Sequence, residues 1–130
     1  YSNSPILLSG SNTGKCAANE ACFSSLGYEY YESCTFTVSE SGVLDVISFY
    51  TESSDSSNGI ICYDKLTVNG KEFCGTSGPE GVAVFAGDKI MWESDDYTNE
   101  AGFEICVVDP CIESSSPSDD GSNGNFYCIN

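Results

Sequence analysis

Lys65-Leu66-Thr67-Val68-Asn69-Gly70 is the stretch that decides the fold class. Leu66 and Val68 alternate with Lys65 and Thr67, the period of a strand with one face buried. Asn69-Gly70 then supplies two residues that tolerate positive φ, as a two-residue hairpin turn requires. The same grammar repeats on either side. Thr35-Phe36-Thr37-Val38 is a β-rich run closed by Ser41-Gly42, and Val43 to Tyr50 is another. Val82-Ala83-Val84-Phe85 ends at Ala86-Gly87-Asp88. Lys89-Ile90-Met91-Trp92 alternates, placing Ile90 and Trp92 on one face. Phe103, Ile105 and Val107 share a face of the last strand, with Glu104 opposite. No window carries a sustained helical period. Short strands at this spacing predict an all-β sandwich or barrel. Thr51 to Gly59, mostly Ser, Asp, Asn and Gly, reads as an exposed loop between strands.

The flanks are less regular. Residues 1–15 hold no charge before Lys15, and Ile6-Leu7-Leu8 is a short apolar run between Pro5 and Ser9-Gly10. It reads as an extra strand of the domain, or as an arm that adds a strand to the open sheet edge of a neighbour. Residues 16–108 are the expected sandwich, with an aromatic group at Tyr28, Tyr30 and Tyr31 near its start. Residues 109–130 form a cysteine-bearing tail of Ser, Asp, Gly and Asn that reads as a loop.

Composition narrows the function classes. A chain of 130 residues makes one domain. An apolar share of 40% is too high for a disordered chain. Eight cysteines and no histidine predict disulfides and an oxidising compartment, hence a secreted, extracellular protein. Zinc would have thiolates alone, and no C-x-x-C pair is present to hold it. No apolar run approaches the ~18 residues of a membrane span. The opening Tyr1-Ser2-Asn3-Ser4 is no signal peptide, so the chain reads as a mature form. No Asn-x-Ser/Thr site is present. Twenty acidic residues face four lysines and no arginine. That excludes a reader of nucleic-acid phosphates and a binder of anionic lipid. Without histidine no Ser-His or Cys-His nucleophile exists, and no enzyme is expected.

Residues 93–104 concentrate five carboxylates, Glu93, Asp95, Asp96, Glu100 and Glu104, with no base among them. Like charges held together are costly unless a cation neutralises them. The plainer reading, solvated turn residues, is preferred for Glu93, Glu100 and Glu104.

In order along the chain, several short pieces resemble the CUB domain of extracellular proteins. Phe23-Ser24-Ser25-Leu26-Gly27-Tyr28 leads through Tyr31 to Cys34-Thr35-Phe36. Phe49-Tyr50-Thr51-Glu52 leads to Cys62-Tyr63-Asp64, and Phe73-Cys74-Gly75 follows. Trp92-Glu93-Ser94-Asp95-Asp96-Tyr97-Thr98-Asn99-Glu100 runs into Gly102-Phe103. The match covers roughly residues 16–108. It departs from the family in lacking prolines after Ser25 and Tyr28 and in having Phe36 for Trp. It also has a longer loop after Glu52 and one extra residue after Ser94. The tail, from Cys111 through Asp119-Asp120-Gly121-Ser122 to Phe126-Tyr127-Cys128, looks like the start of EGF-like cysteine-rich repeats of secreted algal proteins.

The CUB resemblance implies an antiparallel two-sheet jelly-roll sandwich. It implies a Cys62–Cys74 disulfide and a bond from Cys34 to Cys16 or Cys22. A Cys111–Cys128 staple would leave Cys106 to take the remaining upstream cysteine. It also implies a calcium site at one end, carried here by Glu52, Asp64 and Asp95, with Asp96 as substitute for Asp95 and Asn99 or nearby carbonyls completing the shell. A tyrosine orients these groups: Tyr31, or alternatively Tyr28 or Tyr30. Calcium takes six to eight oxygens, so carboxylates from separate loops suit it. The family's calcium-bound carboxylates receive a Lys or Arg of a partner protein, a role that the charge of this chain suits. The rival expectation is a structural subunit of an extracellular filament, coat or matrix that self-assembles through its N-terminal arm.

Overall fold

Asn69 and Gly70 both sit at positive φ, 54° and 80°, and turn the chain back on itself as the hairpin signal requires. The computed structural model describes residues 6–95 and 99–109. Among the described residues twelve strands follow one another: β1 Leu7–Asn12, β2 Ala17–Asn19, β3 Cys22–Leu26, β4 Ser33–Thr37, β5 Gly42–Tyr50, β6 Ser53–Ser56, β7 Gly59–Cys62, β8 Lys65–Val68, β9 Lys71–Phe73, β10 Ala83–Val84, β11 Lys89–Glu93 and β12 Gly102–Val108. Two five-stranded sheets form, in the orders β1-β4-β11-β8-β9 and β10-β5-β12-β3-β2, and β6-β7 is a separate hairpin. Every pairing is antiparallel.

The alternating residues face each other across the two sheets. Phe36, Leu66, Val68, Ile90 and Trp92 come from the first sheet; Phe23, Leu44, Phe103 and Ile105 come from the second, and all are buried. The rings of Phe23 and Phe36 lie 4.8 Å apart, and those of Trp92 and Phe103 4.9 Å apart, edge to face. These contacts run between sheets, so the architecture is a two-sheet sandwich. In β5 the alternation breaks once. Ser48 opposes Glu104 while Val46 opposes Ile105, so Ile47 bulges outward and Phe49 returns to the core.

The structure corrects one local expectation and completes two others. Thr51 to Gly59 is not simply an exposed loop: Thr51 and Glu52 are buried, and Ser53–Ser56 pairs with Gly59–Cys62. Its serines favour neither state strongly, and the adjacent apolar segment supplies the backbone partners. β2 and β3, which the sequence pattern does not single out, lie in residues 17–26, where short Ala and Ser runs carry no contrast between faces. Of the two alternatives for the N-terminal run, Leu7–Asn12 takes the first, as an edge strand of the domain itself. Leu7, Leu8 and Ser9 pair with Thr37, Phe36 and Thr35, and Ile6 is buried.

Disulfides join Cys16 to Cys34, Cys22 to Cys106 and Cys62 to Cys74. The second links directly opposed residues of β3 and β12. Cys111 and Cys128 lie outside the described residues.

Candidate metal centre

Four connections meet at one end of the sandwich. Glu52 follows β5, Asp64 precedes β8, Asp95 follows β11 and Tyr28 follows β3. Gly102 lets β12 start tightly here: its φ is 96°, and a Cβ would lie 2.0 Å from the Ser25 carbonyl oxygen. The resulting junction is held by backbone bonds. The Glu52 carbonyl accepts from the amides of Tyr63 at 3.3 Å and Asp64 at 3.2 Å. Thr51 exchanges bonds with Gly75, and its hydroxyl also donates to the Asp64 carbonyl at 3.3 Å.

Within this frame one carboxylate oxygen from each of Glu52, Asp64 and Asp95 lies within 4.8 Å of the others. Asp64 is fully buried, Glu52 is buried and Asp95 half-buried. The Asp64 carboxylate is oriented on both sides. Its Oδ1 accepts from the Asp95 amide at 2.8 Å, and its Oδ2 accepts from the Tyr28 hydroxyl. That hydroxyl in turn accepts from the Glu52 amide at 3.2 Å, so Tyr28 touches two of the three acidic residues. Burial raises the Asp64 pKa above the usual carboxylate range, with the neighbouring Asp95 charge adding to it and the hydrogen bonds from Tyr28 and Asp95 opposing it. Burial likewise drives the Tyr28 hydroxyl far above its ordinary value, with the Asp64 hydrogen bond next in weight.

The orienting tyrosine is thus Tyr28. The Tyr31 side chain is exposed at φ 58°, and it is its backbone that contributes, the amide donating to the Asp95 carbonyl at 3.1 Å. Tyr30 is also exposed. Asn99 is exposed, and Asp96 lies outside the described residues. Glu93 is exposed, Glu100 and Glu104 are half-buried, and none of them belongs to the three-carboxylate group.

Glu32, which no motif or spacing singles out, organises the loop behind the site. It is 1% exposed. Its Oε1 accepts from the Ser25 hydroxyl at 2.6 Å and the Trp92 indole at 2.9 Å. Its Oε2 accepts from the amides of Lys15 at 2.7 Å and Glu29 at 2.8 Å. Its own amide donates to the Ser94 hydroxyl at 2.8 Å, and its carbonyl accepts from the Ser94 amide, one residue before Asp95. Glu32 also lies beside Cys16 and Cys34, but those sulfurs are bonded to each other and offer no thiolate to a metal.

The donor set at Glu52, Asp64 and Asp95 consists of carboxylate oxygens from three separate connections, and these could hold a hard cation. Comparison with protein-family models, with curated proteins and with solved structures gives no match.

Proposed function

We propose that this chain is a calcium-organised, CUB-type interaction module that works outside the cell by contact with a basic partner protein, and not by catalysis. The observation that carries the reading is the convergence of Glu52, Asp64 and Asp95 within 4.8 Å around a fully buried Asp64. Three carboxylates this close call for a cation. Once neutralised and fixed, their remaining oxygens would accept an ammonium or guanidinium group of a partner. Three disulfides, and no helix among the described residues long and apolar enough to cross a membrane, are compatible with an extracellular protein. Assembly through a free N-terminal arm is the weaker reading, since those residues pair with β4 of their own chain.

Calorimetric titration of chelator-treated protein with calcium tests the site. One ion per chain is expected, in the roughly 0.1–1 mM range of extracellular modules. Asp64→Ala should abolish the heat. No heat from the wild type would remove calcium from the account.

A further inference from the structure

The chain carries three Asn-Gly pairs, Asn58-Gly59, Asn69-Gly70 and Asn123-Gly124, and the last lies outside the described residues. In such a pair the backbone nitrogen of the glycine can attack the side-chain amide of the asparagine, because glycine has no side chain to obstruct the approach. The first two pairs both close hairpins, and both are exposed. The fold nevertheless treats them differently.

Asn69-Gly70 is held. The Asn69 side chain donates from Nδ2 to the Ala83 carbonyl at 3.1 Å, so the carbon to be attacked is fixed by a bond to a strand of the other sheet. The turn joins β8 to β9, and β8 is anchored, being paired on both sides with Leu66 and Val68 buried. Bringing the Gly70 nitrogen onto the Asn69 side chain requires that the bond to Ala83 break and that the turn, with both residues at positive φ, reopen.

Asn58-Gly59 lacks these restraints. β6 and β7 pair only with each other, and residues 55–61 are all exposed. A two-stranded hairpin is marginal by itself, and its tip opens at far lower cost than a strand inside a packed sheet. The bonds at this tip hold backbone alone: the Asn58 amide donates to the Ser56 hydroxyl at 3.2 Å, and that hydroxyl donates to the Gly59 carbonyl at 2.8 Å. Neither engages the Asn58 side chain.

We propose that Asn58 is a site of spontaneous modification, converted with water to aspartate and isoaspartate while Asn69 of the same molecule is preserved. The deprotonated Gly59 nitrogen bonds to Asn58 Cγ, and Nδ2 leaves as ammonia, closing a cyclic imide. Water opens the imide at either carbonyl, giving aspartate or, with the chain routed through the side chain, isoaspartate. Both products replace a neutral amide by a carboxylate, and isoaspartate also lengthens the turn by a methylene. The Ser56–Gly59 pairing is then lost, and the hairpin loosens from its tip. The change stops at the base, where Ser53 pairs with Cys62 and the Cys62–Cys74 disulfide ties that strand to the rest of the fold. The sandwich and the three-carboxylate group stay intact.

The experiment incubates the full, disulfide-bonded chain in mildly alkaline buffer and follows both pairs by peptide mapping with mass spectrometry, with isoaspartate read by enzymatic methylation. Asn58 should convert about tenfold faster than Asn69, the factor that one retained hydrogen bond supplies. In reduced, urea-unfolded chain the two should convert at similar rates. Asn58→Gln should abolish the fast conversion and leave the melting temperature unchanged, since the position is exposed. Equal rates in the folded chain, or a faster Asn69, overturn the proposal. So does a preference for Asn58 that persists undiminished in the unfolded chain. Amide exchange of the aged protein should quicken in residues 53–62 alone; quickening that spreads into β8 or β11 would overturn the confinement to the hairpin.

Discussion

Asp64→Asn separates the cost of the carboxylate cluster from its use. In metal-free protein, two ionised carboxylates within 4.8 Å of each other repel by at least about 3 kcal/mol at an effective dielectric of 20. Asp64 takes part in two such pairs. Asp95 is only half-buried, so solvent screening reduces its share. Asparagine removes both repulsions and keeps an oxygen for the Asp95 amide, but it weakens the acceptor of the Tyr28 hydroxyl. Setting that loss against the relief leaves a net gain of about 2 kcal/mol at neutral pH in the absence of calcium. Calcium reverses the order. At a hundredfold excess over its Kd, the ion stabilises the wild type by about 2.7 kcal/mol and the variant by far less. The pH dependence has a definite sign. Burial raises the folded-state pKa of Asp64 above its ordinary value of 3.8. The stability that protonated Asp64 contributes is therefore complete below the unfolded pKa and lost as pH rises through the folded one. Metal-free wild type should show that loss, and Asp64→Asn should not. Thermal unfolding by near-ultraviolet circular dichroism, in chelator and in calcium, reads all of this. A shift of 1 kcal/mol corresponds to roughly 4 °C for a domain of this size. A variant that is less stable than wild type in chelator at neutral pH, yet gains equally from calcium, would refute the reasoning.

Two further outcomes follow from the supports of the site. Replacing Cys62 and Cys74 together by Ser opens a bond of sequence separation 12 and should cost about 3 kcal/mol in urea unfolding. Calcium affinity should fall with it, because Gly75, next to Cys74, anchors Thr51 beside Glu52. Glu32→Gln keeps the shape of a side chain that accepts four hydrogen bonds, but it turns one acceptor into a donor facing donors. It should cost at least about 2 kcal/mol by the same assay; an unchanged urea midpoint would mean that Glu32 is no anchor for Ser94 and Asp95.

The strands that were plain in the sequence are those whose two faces meet different surroundings. Ile90 and Trp92, or Phe103 and Ile105, each bury one face against the opposing sheet, and strict alternation records that directly. The Asn69-Gly70 turn was equally legible, because few residues accept its φ values. β2, β3 and β6 were not, since short runs of Ala and Ser carry no contrast between faces and form strands only where a neighbour offers a ladder. The Cys62–Cys74 bond was expected from the resemblance, which left Cys16 and Cys22 as alternatives for Cys34. That choice went to Cys16 because Cys22 stands opposite Cys106 across the β3–β12 ladder.

The sequence by itself determined the class of the protein: all-β, cysteine-rich and strongly acidic, with four lysines and neither arginine nor histidine. These are properties of composition and of short-range pattern. Only the tertiary structure decided which carboxylates act together. Glu52, Asp64 and Asp95 are far apart in the chain and become a group because three connections end at one rim of the sandwich. Tyr28 rather than Tyr31 orients them for the same reason: Tyr28 turns inward at the end of β3, while the turn at Tyr31 leaves its side chain exposed. Glu32, one acid among twenty, differs from the rest only in the four donors that folding brings to it, and no local pattern encodes contacts between residues as distant as 32 and 92.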